Sequence, residues 1–247
     1  MLYYEGIFYE MNAVVFYSNT GQSRLAAEHL AKETGFALLQ METVDSAIFE
    51  CLIIVFPVHC QSVPRAVLDF LRNARAERLI PIATYGRMCY GNALYEIQKR
   101  TTHKIVAAAY LPARHSYLEG EDLSDFEILS LIAGYVNDKD EIRIPRSYKN
   151  PFAAFFPTLR GQIGVKMIRD EGCTGCNECA RACPIGAMTR GRANRRCIRC
   201  LRCVGHCPMG ALSFKVRLPL RIYLRKKPIN RSIIYTKQTV DFNEVMK

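Results

Sequence analysis

The 247 residues contain no tryptophan, so no indole is available to stack on a planar ligand. No apolar run reaches the roughly 20 residues that a membrane-spanning helix requires. The start, Met1-Leu-Tyr-Tyr-Glu, lacks the basic stretch followed by an apolar one that marks a secretory signal, and a reducing cytoplasmic location is expected. Neither G-x-x-x-x-G-K-[ST] nor G-x-G-x-x-G occurs, which removes the nucleotide-triphosphate loop and the dinucleotide fingerprint. The five histidines show no paired metal spacing. No acid–base pair stands out, so no catalytic residue is assigned.

Cysteine, by contrast, is plentiful and patterned. Eight of the eleven fall between Cys173 and Pro208, in two copies of C-x2-C-x2-C-x3-C-P. The first copy is Cys173, Cys176, Cys179, Cys183 and Pro184; the second is Cys197, Cys200, Cys203, Cys207 and Pro208. Three cysteines so spaced on a tight loop can aim their sulfurs at one cubic iron–sulfur cluster, whose iron prefers soft thiolate ligands. The fourth cysteine of each run serves the other cluster. Cys173, Cys176, Cys179 and Cys207 are therefore expected to hold one [4Fe–4S] cluster, and Cys197, Cys200, Cys203 and Cys183 the second. Each proline stops the chain continuing as a helix. Disulfides fit such density poorly in an intracellular protein. Zinc also uses C-x2-C pairs, but the third cysteine and the C-P ending, both duplicated, do not match a zinc ribbon. The stretch resembles a bacterial two-cluster ferredoxin domain.

Charge divides along the chain. Residues 1–150 carry a net −3 and residues 151–247 a net +14, so the basic character belongs to the cysteine-rich part and its tail. Such asymmetry bears on partners rather than fold.

The first part alternates apolar runs with helical stretches. Strands are expected at 13–17, 36–41, 51–56, 79–83 and 104–110. Helices are expected at 24–32, 65–75, 92–102 with Asn92 as cap, and 124–136. Five strands alternating with helices imply a parallel sheet covered on both faces. Ser18, Asn19, Thr20, Gly21, Gln22 and Ser23 lie between the first strand and its helix, the arrangement that places a phosphate on backbone N–H groups at a helix N-terminus. Two further loops follow strands three and four. One holds Pro57, Val58, His59 and Cys60, and the other Thr84, Tyr85, Gly86, Tyr90 and Gly91.

On these residues the stretch 11–145 resembles flavodoxins. Ser18-x-Thr20-Gly21-x-Ser23 matches the FMN phosphate signature, and the other two loops stand where the flavin ring is flanked. The resemblance implies a five-stranded parallel sheet of order 2-1-3-4-5 with FMN at the switch point between strands one and three. With no tryptophan, His59 and Tyr85 or Tyr90 are the flat groups available. Cys60 and Cys89 read as bystanders in these loops, Cys51 as strand core and His29 as structural. Residues 1–10 read as an extra leading segment. Residues 146–171, with Phe152, Phe155 and Phe156, read as a linker packed on the cluster domain. That α+β domain spans 172–214, and 215–247 form a solvated basic tail with a short strand.

Taken whole, the chain resembles the flavodoxin–ferredoxin fusion family, the ferrodoxins. That resemblance implies an electron carrier with two [4Fe–4S] clusters and FMN. An acidic redox protein, such as a small ferredoxin or flavodoxin or a reductase, is the expected partner, drawn by Arg181, Arg190, Arg192, Arg195, Arg196, Arg199 and Arg202. Three other readings stay open: a flavin-dependent reductase of a small molecule, a membrane surface met through the basic tail, and an oxidant-labile sensor that binds nucleic acid. Against nucleic acid, the arginines lack interleaved stacking aromatics.

Overall fold

The computed structural model describes residues 11–44, 48–150 and 157–238. The expectations for residues 1–10 and for Phe152, Phe155 and Phe156 fall outside the described residues. The chain runs β1 (Met11–Phe16), α1 (Gln22–Thr34), β2 (Ala37–Gln40), β3 (Ile48–Pro57), α2 (Arg65–Asn73), β4 (Arg75–Tyr85) and α3 (Ala93–Arg100). It continues with β5 (Lys104–Ile105), β6 (Ala108–Pro112) and α4 (Phe126–Ala133).

Mixed α/β architecture with a largely parallel central sheet follows from the apolar strands. β3 is buried on both faces because its side chains alternate between two cores. Cys51, Ile53 and Val55 meet Ala26, Leu30, Leu129 and Ile132 of α1 and α4. Leu52, Ile54 and Phe56 meet Val67, Leu71, Leu94 and Ile97 of α2 and α3. Each such aliphatic side chain contributes about 1.5–3 kcal/mol on burial. α1 ends at Gly35, whose φ of 71° lets its N–H reach the Ala31 carbonyl at 2.9 Å. His29 bridges α1 to α4 through the Ser130 hydroxyl at 3.0 Å.

The sheet order is β2-β1-β3-β4-β6, with β5 also paired to β4 and a further strand beyond β6. Two features depart from expectation. The fifth strand is split, because Val106 and Ala107 leave the ladder between β5 and β6. A further strand, β11 (Ile233–Tyr235), pairs antiparallel with β6, Tyr235 facing Ala108. The stretch expected to be a solvated tail thus returns to the sheet and covers an edge that would otherwise be open to pairing. Asn92 also differs from expectation: its side chain makes no cap bond and instead accepts the Ser147 N–H at 2.6 Å, tying down the chain after the α/β unit.

The cysteine-rich unit is framed by α5 (Pro157–Gly164), β7 (Val165–Arg169), α6 (Glu178–Arg181), β8 (Met188–Thr189) and β9 (Arg192–Ala193). It closes with α7 (Arg202–Gly205), β10 (Leu212–Val216) and α8 (Leu218–Leu224). β7 and β10 pair from Val165↔Val216 to Leu212↔Arg169, so this unit extends beyond 172–214 at both ends. Cys179, Cys203, Met188 and Leu212 form its small core. Among the described residues no helix is long and apolar enough to cross a membrane.

Candidate functional site

The sequence repeat is also a backbone repeat. At an offset of 24 residues, Gly175 (φ 75°) corresponds to Arg199 (φ 59°), Asn177 (φ 64°) to Leu201 (φ 64°), and Gly186 (φ 59°) to Gly210 (φ 61°). Each loop makes two left-handed steps among its first three cysteines and then opens a short helix, α6 or α7.

Cys183 joins the three thiols of the second loop. Cys183, Cys197, Cys200 and Cys203 line one small cavity with Met167, Pro184, Ile185, Met188, Ile198, Arg199 and Leu201. Burial and the neighbouring thiols push Cys203 up to about 12, and burial raises Cys200 too. Four cysteine sulfurs lining one cavity are the soft donor set that an iron–sulfur cluster takes as thiolates. The Ala187 N–H points at Cys183 Sγ (3.1 Å) and the Gly191 N–H at Cys179 Sγ (3.3 Å). Such amides stabilise charge on ligand sulfur. In the first loop, Arg169 and the Gly175 N–H hold the Cys173 thiol below its ordinary range. Gly191 (φ 76°) lies so close to Cys173 that a Cβ there would sit 2.9 Å from the sulfur.

At the α/β unit, the loop after β1 presents two buried polar atoms without partners, Ser18 Oγ and Asn19 Oδ1. Gly21, at φ 91°, precedes α1 with no atom within 4 Å of where a Cβ would stand, and no side chain caps that helix. Thr20 is half-buried in the same turn. An unpartnered hydroxyl, open space at Gly21 and a helix start without a side-chain cap fit the phosphate end of a flavin mononucleotide. Gln22 and Ser23 are turned inward instead. Gln22 bridges Asp122 and the Leu123 N–H, both at 2.8 Å, and the Ser23 hydroxyl meets Thr84 Oγ1 at 2.8 Å. These three residues fix the loop and are not open donors.

The other two loops are braced against each other. Val58 donates to the Thr84 carbonyl at 2.8 Å after Pro57, and His59 and Ser62 close a two-residue turn with Cys60 at φ 48°. His59 Nε2 lies 2.9 Å from Asn19 Nδ2, linking this turn to the loop after β1. Burial, with Arg202 nearby, lowers the His59 pKa to about 4. A Cβ on Gly91 would lie 2.2 Å from the Gln61 carbonyl oxygen, and one on Gly86 2.6 Å from the His115 ring. Tyr85 is core: it is 1% exposed, and its hydroxyl donates to the Arg231 carbonyl at 2.6 Å. Tyr90 packs on Tyr85 and Tyr110 at 5.6 and 4.8 Å between ring centroids. Tyr85 thus braces the returning C-terminal segment rather than presenting a flat face.

The cluster loop is seated on this same sheet edge. The Tyr117 hydroxyl donates to the Arg199 carbonyl at 2.6 Å, and its ring lies 5.9 Å from Phe214. The Arg202 guanidinium stacks on Tyr17 at 4.8 Å and pairs with Glu42. The sequence reading missed Tyr117; its only signal was an aromatic five residues beyond the last parallel strand, at the same carboxyl edge. The arginines also separate into two classes. Arg202 is buried and Arg199 half-buried, whereas Arg181, Arg190, Arg192, Arg195 and Arg196 are exposed. Of the seven arginines expected to draw a partner, five are thus exposed and two sit at the contact with the α/β unit.

The 4Fe-4S binding domain family matches residues 167–189, so the chain carries an iron–sulfur domain with at least one [4Fe–4S] cluster. No curated protein matches the chain. Among solved structures, a candidate flavoprotein from Bacteroides uniformis is 16% identical over 51% of this chain and 98% of that one, with a TM-score of 0.39. Rubredoxin oxygen:oxidoreductase from the anaerobe Desulfovibrio gigas is 17% identical over 51% of this chain and 35% of that one, at 0.37. An archaeal flavodoxin is 9% identical over 49% of this chain and 92% of that one, at 0.35.

Proposed function

We propose that the protein is an electron carrier in which two [4Fe–4S] clusters exchange electrons with an FMN in the Ser18–Ser23 loop and with an external acidic redox protein. The observation that carries this reading is the seating of Arg199 and Arg202, two residues among the ligands of the second cluster, on Tyr117, Tyr17 and Glu42 beside the proposed flavin loop. When bound, iron–sulfur clusters supply one-electron chemistry and flavin one- or two-electron chemistry. The chain's own part is to hold them close and dry. Cys173, Cys176, Cys179 and Cys207 would ligate one cluster, and Cys183, Cys197, Cys200 and Cys203 the other. Ser18, Thr20 and the backbone before α1 would receive the phosphate, with Gln22, Ser23 and Thr84 bracing them. Anaerobically purified protein is expected to hold about eight irons and one FMN per chain. Stoichiometric zinc, or flavin-free protein that takes up no FMN, contradicts it.

The acidic partner is assigned to the exposed arginines. Arg169, Arg190 and Arg192 line an open cleft with Thr189, Ala193 and Asn194, next to the first cluster loop. Complementary charge mainly raises the association rate, and salt screens it over about 8–10 Å. Reduction of the clusters by a small acidic ferredoxin is expected to slow steeply with rising salt, and Arg190→Glu with Arg192→Glu to flatten that dependence. A rate indifferent to both salt and these changes places the partner elsewhere.

A further inference from the structure

The two cluster loops are conformational copies, yet they differ at one informative position. Both require a left-handed residue between their first two cysteines. The first loop uses Gly175, which adopts φ 75° at no steric cost; the second uses Arg199 at φ 59°. Glycine would satisfy the backbone equally well, so the arginine side chain is kept against its conformational preference. That side chain is enclosed. Its Cγ would lie 3.5 Å from a Cβ on Gly161 of α5, it lines the cavity of Cys183, Cys197, Cys200 and Cys203, and its carbonyl receives the Tyr117 hydroxyl. Its Nε and Nη1 are buried and have no hydrogen-bond partner among the described residues. Two orphaned N–H donors on a permanent cation are costly unless something in the cavity accepts them.

We propose that Arg199 donates these N–H groups to sulfur of the cluster held by Cys183, Cys197, Cys200 and Cys203, and so raises that cluster's reduction potential. The reduced cluster carries more negative charge than the oxidised one, so a buried cation and its hydrogen bonds favour the reduced state. The first loop has no counterpart at Gly175. Arg169 lies beside Cys173 but is exposed, where water screens its charge. The two clusters, built on one repeated scaffold, are thereby made unequal, and the electron is drawn to the one beside Tyr117 and Tyr17. The inference rests on the proposal that a [4Fe–4S] cluster fills this cavity.

The test is a potentiometric titration of the full anaerobic chain, followed by electron paramagnetic resonance so that the clusters are read separately. Arg199→Gly keeps the required backbone conformation, and Arg199→Gln keeps a neutral donor of similar length. Both are expected to shift the one-electron equilibrium of the second cluster toward oxidation by about tenfold or more, about 59 mV per tenfold. The first cluster stays unmoved. Arg199→Lys, which restores the charge, should recover part of the shift. A purely structural role would alter iron content or thermal midpoint without moving either potential. Two intact clusters with unmoved potentials in both Arg199→Gly and Arg199→Gln overturn the inference alone. Wild-type protein with about four irons and no signal from this cavity overturns the cluster assignment beneath it.

Discussion

On the proposed two-cluster assignment, replacing Cys183 with alanine is expected to strip the four-iron signature from the cavity it shares with Cys197, Cys200 and Cys203, while the site proposed at Cys173, Cys176, Cys179 and Cys207 keeps its own. The sequence pattern already groups Cys183 with the later cysteines rather than with those immediately before it. Cys183 lines the cavity of the second loop, and the charge of its thiol bears on both Cys200 and Cys203. With Cys183 gone, the proposed cluster would lack one of its four protein ligands, and Cys200 and Cys203 stay in surroundings that raise their proton affinity. Iron is expected to fall from about eight to about four per chain. Cys207→Ala should do the converse. Resonance spectra of the two variants should each lose a different signal. Loss of the same signal from both variants, or loss of the Cys173 signal from Cys183→Ala, would reverse the cross-ligation.

Much of this was legible in the residues. The duplicated cysteine pattern placed Cys183 with Cys197, Cys200 and Cys203, and these four line one cavity. The parallel strands were legible too: β3 is nearly continuously apolar, as a strand buried on both faces must be. What escaped was long-range. Nothing around Ile233–Tyr235 marks it as the partner of β6, since an edge strand of three residues has almost no local signal. Tyr85 sits in a loop where an aromatic could equally face a ligand or the core, and only the returning segment near Arg231 decides for the core. Arginines at 199 and 202 look like their exposed neighbours in sequence. Their burial depends on Tyr17, Glu42 and Tyr117, which lie 80 or more positions away, so no local pattern could separate them from Arg195 or Arg196.

Arg202 and Glu42 are expected to respond unequally to substitution, with Glu42→Gln destabilising the chain more than Arg202→Met. The Arg202 side chain is 7% exposed and Glu42 29%. Removing the arginine leaves a carboxylate that can turn to water, while methionine keeps the apolar contact over Tyr17. Removing the carboxylate charge leaves a buried guanidinium whose Nε already has no partner. Breaking a fully buried pair costs about 3–5 kcal/mol; the partial exposure of Glu42 reduces this to about 2–3 kcal/mol for Glu42→Gln and about 1 kcal/mol for Arg202→Met. His59 supplies a second readout. Its pKa is lowered to about 4 by burial and secondarily by Arg202. A histidine held below its ordinary 6.5 loses stability as pH falls from about 6.5 toward 4, because the unfolded chain takes up the proton first. Arg202→Met should raise the His59 pKa and lessen that acid loss. Denaturant midpoints for the two single variants and the double variant, at pH 7 and pH 5, measure all three effects. On the proposed function, Arg202→Met should also slow electron exchange between cluster and flavin with iron and FMN content unchanged, because it loosens the loop that seats one beside the other. Single-variant effects that add to within about 0.3 kcal/mol would show the two side chains to be energetically independent. Arg202 would then not be what fastens the cluster loop to the sheet edge.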